Sequence, residues 1–269
     1  MERGIGGQPP LARSAIATRL TGTMHRSEQG TPGRRVPVLD LDDALLPSFD
    51  EAARRQLTAP LVRVGRGPWA IPESLRERRE QWLGLLVVDG MIIRTVSVSG
   101  LECCELLGPG DVIRPWDGDD EVASLASGVS WRVIEYAQMA VLDDAFARLA
   151  CRWPAVLSEL MERGLQRSRS LAVQLAIGQA RRADVRLLAL FWHLADRWGR
   201  VTPDGVLVEV DLTHGLLSRL TSLRRPTVSV TLKELGESGE LIRLSRSSWL
   251  LRSTRHEDLQ RAIGLPVAA

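Results

Sequence analysis

Residues Leu212–Leu251 read LTHGLLSRLTSLRRPTVSVTLKELGESGELIRLSRSSWLL. Thr213 can cap a helix, and Leu216, Leu217 and Leu220 follow at helical spacing. Thr221-Ser222-Leu223 interrupts the pattern. Arg225-Pro226 then opens a second helix, where the missing proline N–H costs nothing. Val228, Leu232 and Leu235 give this helix one apolar face, and Arg224, Arg225, Thr227, Ser229, Thr231 and Lys233 occupy the others. Gly239 closes the pair, and Leu241–Leu244 and Trp249–Arg252 form a hairpin around the polar turn Ser245–Ser248. Helix, turn, helix and two-stranded ribbon make the layout of a winged helix-turn-helix.

Charge points the same way. From Thr213 to Lys233 the chain carries Arg219, Arg224, Arg225 and Lys233 and no acidic residue, a net +4. Phosphate contacts supply much of the affinity of DNA-binding proteins, and they require such an acid-free surface. A basic helical hairpin alone is more often a solvated face. The Arg-Pro-Thr-Val-Ser run at a helix start, with a preceding helix and a following hairpin, shifts the balance to double-stranded DNA. The expected contacts are Arg225, Thr227, Ser229 and Thr231 on the second helix, with Arg224, Lys233 and the hairpin residue Arg246 on phosphates.

The segment from Leu220 to Ile242 resembles the DNA-binding region of Crp/Fnr-type bacterial transcription regulators. Arg225, Thr227–Ser229, Leu232, Leu235 and Ile242 match that family's pattern of Arg, Thr-Val-Ser and an apolar frame. Two positions depart from it. Pro226 stands where many members carry a base-reading Glu, and Val230 where many carry a second base-reading Arg. The resemblance therefore implies an operator different from the family's best-known one.

At 269 residues, with 44% apolar and 25% charged side chains, the chain has room for two domains of ordinary soluble composition. Its net charge of +2 is uneven. Residues 1–36 sum to +4, residues 37–179 to −6 and residues 180–269 to +4. An acidic middle and a basic final third suit a sensor joined to a nucleic-acid domain. Three cysteines without a paired framework fit a reducing cytoplasm. No apolar run of membrane-spanning length and no signal-peptide pattern is present, so cytoplasmic localisation is expected.

Residues 1–36, rich in Gly, Pro and Arg, read as a disordered arm, and residues 38–57 as an acidic turn and short helix. From Leu61 to about Asp143 the texture is short apolar runs separated by turns: Leu61–Val64, Trp82–Val88, Met91–Val98, Leu101–Leu107, Val112–Pro115, Val122–Ala126, Ser130–Tyr136 and Gln138–Leu142. Asp89-Gly90 is a two-residue hairpin signal, with Ser99-Gly100 and Gly108–Asp111 as further turns. Such spacing predicts an antiparallel β jelly-roll or barrel over residues 37–150. Residues 83–113 also resemble the first half of a cyclic-nucleotide-binding-type barrel.

That resemblance implies a nucleotide cassette of Gly-Glu followed by Arg-Ser/Thr-Ala after the Pro-Gly-Asp turn. Here the region reads Arg114-Pro-Trp-Asp-Gly-Asp-Asp-Glu121, which lacks the cassette and crowds acids where an anion would sit. No response to cAMP or cGMP and no cofactor are expected. Arg114 and Arg132 are the nearest candidates for some other anion, against the plainer reading of solvated arginines. His25, His193, His214 and His256 all fall outside the barrel, which excludes a cupin-type metal enzyme and leaves no metal site expected. Alternatives are a winged-helix protein-interaction module and a thiol redox sensor at Cys103 or Cys104, whose adjacency on a strand sends them to opposite faces.

Trp153-Pro154 opens a long helix with Leu157, Leu160, Met161, Gly164, Leu165, Ser168, Leu171, Leu175 and Gly178 along one stripe. The stripe suggests a dimer seam over residues 153–180, and the resemblance implies the same. Val185–Leu194 form the next helix, Thr202–Gly205 a turn, Val206–Leu212 a strand and Arg255–Ile263 a terminal helix. The expectation is thus an α+β chain: arm 1–36, jelly-roll barrel 37–150, dimerisation helix 151–180 and winged helix-turn-helix 181–269. It is read as a non-enzymatic homodimeric regulator of transcription, with RNA polymerase a further candidate partner.

Overall fold

The computed structural model of the chain describes residues 33–38, 51–77, 82–116 and 127–252. Most of the expected arm, the acidic stretch after Trp116 with the expected strand 122–126, and the expected terminal helix lie outside the described residues. The chain divides into two compact units between Val173 and Gln174, within the long helix.

The first unit holds β1 (Arg35–Pro37), α1 (Glu51–Gln56), β2 (Thr58–Pro68), α2 (Glu73–Arg76), β3 (Gly84–Val98), β4 (Leu101–Leu107), β5 (Val112–Ile113), β6 (Ser127–Leu142), α3 (Asp144–Ala150) and most of α4 (Pro154–Gln179). Its antiparallel sheet runs β1-β2-β6-β3-β4, with β5 also paired to β3. The central strands are apolar on both faces because both are covered. Val62, Leu85, Val87, Met139 and Val141 enter one core with Trp69, Trp82, Trp116 and Trp131. Their neighbours Leu61, Leu86, Ala140 and Leu142 enter a second with Phe146, Ala150, Val156 and Leu160.

Three features differ from the sequence expectation. β1 lies where the arm was expected to end, tied down by Arg35, whose guanidinium donates to Asp143 at 2.6 and 3.1 Å. Asp143 also caps α3 by accepting from the Phe146 N–H. Partial burial opposes ionisation of that carboxyl, but Arg35 and the Phe146 N–H outweigh it and hold it below the usual carboxylate range. Asp89-Gly90 is no hairpin. β3 passes straight through it with register shifts on either side, so two expected strands are one bulged strand of 15 residues. Gly90 has φ +83°, and a Cβ there would collide with the Tyr136 carbonyl of β6. A bulge uses the positive φ of Asp-Gly as readily as a turn does, and local sequence cannot separate the two. Likewise the expected strands 130–136 and 138–142 are one strand, β6. Ser99-Gly100, expected as a turn, joins β3 and β4 as a two-residue hairpin turn with φ 50° and 84°.

The second unit holds the end of α4 and then α5 (Ala183–Trp198), β7 (Gly199–Thr202), β8 (Gly205–Glu209), α6 (His214–Thr221), α7 (Arg225–Glu237), β9 (Leu241–Arg243) and β10 (Ser248–Leu251). Its sheet runs β7-β8-β10-β9. β7 was not foreseen; it pairs with β8 across the Thr202–Gly205 turn, where the Thr202 hydroxyl donates to the Gly205 carbonyl at 2.8 Å. α5 packs against α7, α6 and β8, with Phe191 tilted on Trp249 at 4.9 Å between ring centres.

Candidate nucleic-acid interface

α6 and α7 are joined by a tight turn that the side chains build. The Thr213 hydroxyl accepts the Leu216 N–H at 3.2 Å and caps α6. Ser222 ends α6 in the left-handed conformation (φ 55°), and Leu223 N–H donates back to the Ser218 carbonyl at 3.1 Å. Arg224 then takes the N-cap position of α7 in extended backbone without a side-chain cap bond, with Pro226 in the first turn and no acid there. β9 and β10 form the ribbon that follows. Arg243 shapes its tip, donating to the Ser245 and Arg246 carbonyls at 3.1 Å and lying over the Trp249 ring at 4.9 Å.

The expected contact residues divide on inspection. Arg224, Arg225 and Thr227 are exposed at the start of α7, and Lys233 is exposed two turns on, 3.7 Å from Glu237. Thr231 is a correction. It is 5% exposed and faces inward with Val228 and Leu235, so it packs the domain and is not on the outward face. The cause is the helix phase: the apolar face is Val228-Thr231-Leu235, and Leu232 is only half-buried. Ser229 is half-buried and engaged within the protein, 2.8 Å from His214 Nδ1 and donating to the Arg225 carbonyl at 3.2 Å. Arg246 donates to Asp211 at 3.1 Å, and that carboxylate is almost wholly buried while the guanidinium stays mostly exposed. Sequence reasoning missed the partners His214, Asp211 and Arg243, which become visible only when the helices and ribbon fold together.

The first unit carries a separate feature, a pocket of about 330 Å³ lined by Arg94, Arg114, Arg167, Trp131, Leu160 and Gly164 among others. Arg114 donates to the Trp82 carbonyl at 3.2 Å and lies over Trp116. Arg132, the other sequence candidate, is exposed, and its neighbour Trp131 is the β6 residue that lines the pocket. Beside the pocket is an anion the sequence reading did not single out. Glu105 of β4 is held by Arg167 of α4 through two bonds of 2.7 and 2.8 Å, with Arg94 at 3.7 Å. Arg163 adds a second tie from α4, donating to the Gly110 carbonyl at 3.0 Å. At Cys103 partial burial, then Cys104 and Glu105, raise the thiol pKa, which disfavours a reactive thiolate. Among the described residues, no three His, Cys, Asp or Glu side chains gather as a metal site, and no helix is long and apolar enough to cross a membrane.

No protein-family model matches the sequence, and no curated protein matches it. Solved structures do. A mutant of CooA from Carboxydothermus hydrogenoformans superposes with a TM-score of 0.60 at 17% identity, covering 88% of this chain and 99% of that one. Coverage that high includes both compact units. The chain has the Crp/Fnr-type regulator fold. A Crp-family transcriptional regulator from Thermus thermophilus matches at TM-score 0.51 and 20% identity over 77% of this chain and 98% of its own. A cyclic nucleotide-binding domain containing protein from Listeria monocytogenes matches at 0.54 and 15% over 71% and 87%. These likenesses to the Crp/Fnr fold agree with the α+β architecture and antiparallel sheet described above.

Proposed function

We propose that this Crp/Fnr-like chain is a homodimeric, sequence-specific DNA-binding regulator of transcription that does not answer to cAMP. α6, α7 and the β9–β10 ribbon act as a winged helix-turn-helix, with α7 in the major groove and the ribbon along the backbone. One observation carries the reading. The first turn of α7 presents Arg224, Arg225 and Thr227 outward, on a segment with no acid from Thr213 to Lys233. Arg225 addresses base edges; Arg224, Lys233 and the exposed part of Arg246 address phosphates. Ser229 positions α7 through His214 in this scheme.

The dimer seam is the exposed face of α4. Leu157 packs against, and Leu160 belongs to, the second core, so the stripe splits in two. Met161, Leu165, Ser168, Ala172 and Leu175 remain outward at alternating spacings of four and three, with Met161 65% and Leu175 63% exposed. That spacing is the heptad pattern of paired helices. Indifference to cAMP is supported by the indole-filled core and by Glu105, a built-in anion on the arginines beside the pocket. Such a regulator acts in the cytoplasm and addresses RNA polymerase as its protein partner.

The test is binding of the full chain to duplex DNA across a salt series, with and without cAMP. Affinity should fall steeply as salt rises and be unmoved by the nucleotide. Salt-insensitive binding, or none, contradicts this reading and favours a protein partner for the winged helix.

A further inference from the structure

α7 carries an apolar pair that its own packing does not use. Val228, Thr231 and Leu235 turn inward. Pro226, Val230 and Lys233, at i, i+4 and i+7, share the opposite arc. Val230 is 58% exposed, and Pro226, one turn before it, is exposed as well. A single exposed valine is ordinary on a protein surface. This one lies in the N-terminal half of the helix proposed to enter the groove, between the cations Arg225 and Lys233. A β-branched residue is also a poorer helix former than the Ala, Glu or Lys that exposed positions favour, so helix stability gives no reason for it.

Chemistry narrows what such a face can meet. The base edges in the major groove offer hydrogen-bond donors and acceptors and one apolar group, the C5 methyl of thymine. The side chains of Pro226 and Val230 have neither donor nor acceptor. Pressed on the guanine acceptors N7 and O6, or on a cytosine or adenine amino group, they would strip water and return nothing; pressed on a thymine methyl they bury apolar surface. Resting on the DNA-binding reading of α7, we propose that Pro226 and Val230 form a thymine-methyl contact, with Val230 the residue that selects a T·A pair in each half-site. Specificity then comes from a cation and an apolar patch on successive turns.

The test uses the full chain and a duplex bearing the sequence it selects from random DNA. Each thymine of the site is replaced in turn by uracil, which pairs identically and lacks only the methyl. The wild type is expected to bind one uracil duplex per half-site about fourfold more weakly, the worth of one buried methyl. In Val230→Ala the thymine–uracil difference at that position should shrink below about twofold. Because Val230 is exposed, the variant should unfold thermally like the wild type. Equal binding of every thymine and uracil duplex by the wild type overturns the methyl contact and leaves DNA binding intact. Full discrimination persisting in Val230→Ala overturns the role of Val230. If no duplex is selected at all, the contact and the DNA-binding reading fall together.

Discussion

Replacing Glu105 by alanine removes the carboxylate that Arg167 grips through bonds of 2.7 and 2.8 Å, with Arg94 at 3.7 Å. The Glu105 side chain is 8% exposed, Arg167 20% and Arg94 25%, so two guanidinium groups lose a shared counter-charge in a nearly dry place. Burial pulls the Arg167 pKa down, and the bond and charge of Glu105 more than restore it. Removing one partner of a fully buried pair costs roughly 3–5 kcal/mol. Arg167 and Arg94 keep some of their surface in water and can partly rehydrate, which lowers the expected loss to about 2–3 kcal/mol. Urea unfolding followed by tryptophan fluorescence reads it, since Arg94 lies over the Trp131 ring. A double-mutant cycle isolates the pair: Arg167→Met alone leaves Glu105 only Arg94 at 3.7 Å, and combining it with Glu105→Ala should cost at least about 1.5 kcal/mol less than the sum of the two single losses. A single-mutant loss under about 0.5 kcal/mol, the size of an exposed pair, would refute the reasoning. So would simple additivity of the two substitutions.

Arg225→Ala is expected to weaken DNA binding by roughly 1–3 kcal/mol and relax specificity at one base pair; an unchanged preference across operator variants would sink that assignment. Lys233→Ala should weaken all sequences alike and lower the salt slope by about one, and any base-specific effect would contradict a phosphate role. Met161→Glu with Leu165→Glu should turn the proposed dimer into a monomer in sedimentation, because like charges then face each other across the proposed seam; a surviving dimer places the interface elsewhere. Burial, then Arg197, lowers the His193 pKa to about 4. The unfolded ring takes a proton below its ordinary 6.5 while the folded ring stays neutral, so stability is lost as pH falls through that window, by at most roughly 3 kcal/mol. Relative to the wild type, His193→Gln should lose this part of the pH dependence, and parallel curves would show that the ring is not responsible.

The second unit was legible because its signals are local. A capping Thr213, a helix-opening Pro226 and the hairpin runs each announce an element within a few residues. Helix phase was legible only approximately: Leu232 and Thr231 are adjacent, and tertiary packing placed the threonine inside. In the first unit the apolar runs located the strands, but a bulge at Asp89-Gly90 and a turn there look alike in sequence. The pairing with Tyr136 and Ala137, some 47 residues away, separates them. Long-range ion pairs such as Glu105–Arg167, 62 residues apart, leave no local trace. Nothing near Ser229 in the sequence announces its partner His214, 15 positions back.

The most direct test is selection of bound sequences from random duplex DNA by the purified full chain. A palindromic site with two half-sites about one helical turn, roughly 10 bp, apart is expected, with loss of that selection in Arg225→Ala. Recovery of unrelated sequences, or of a single unpaired half-site, would contradict a dimeric sequence-specific regulator.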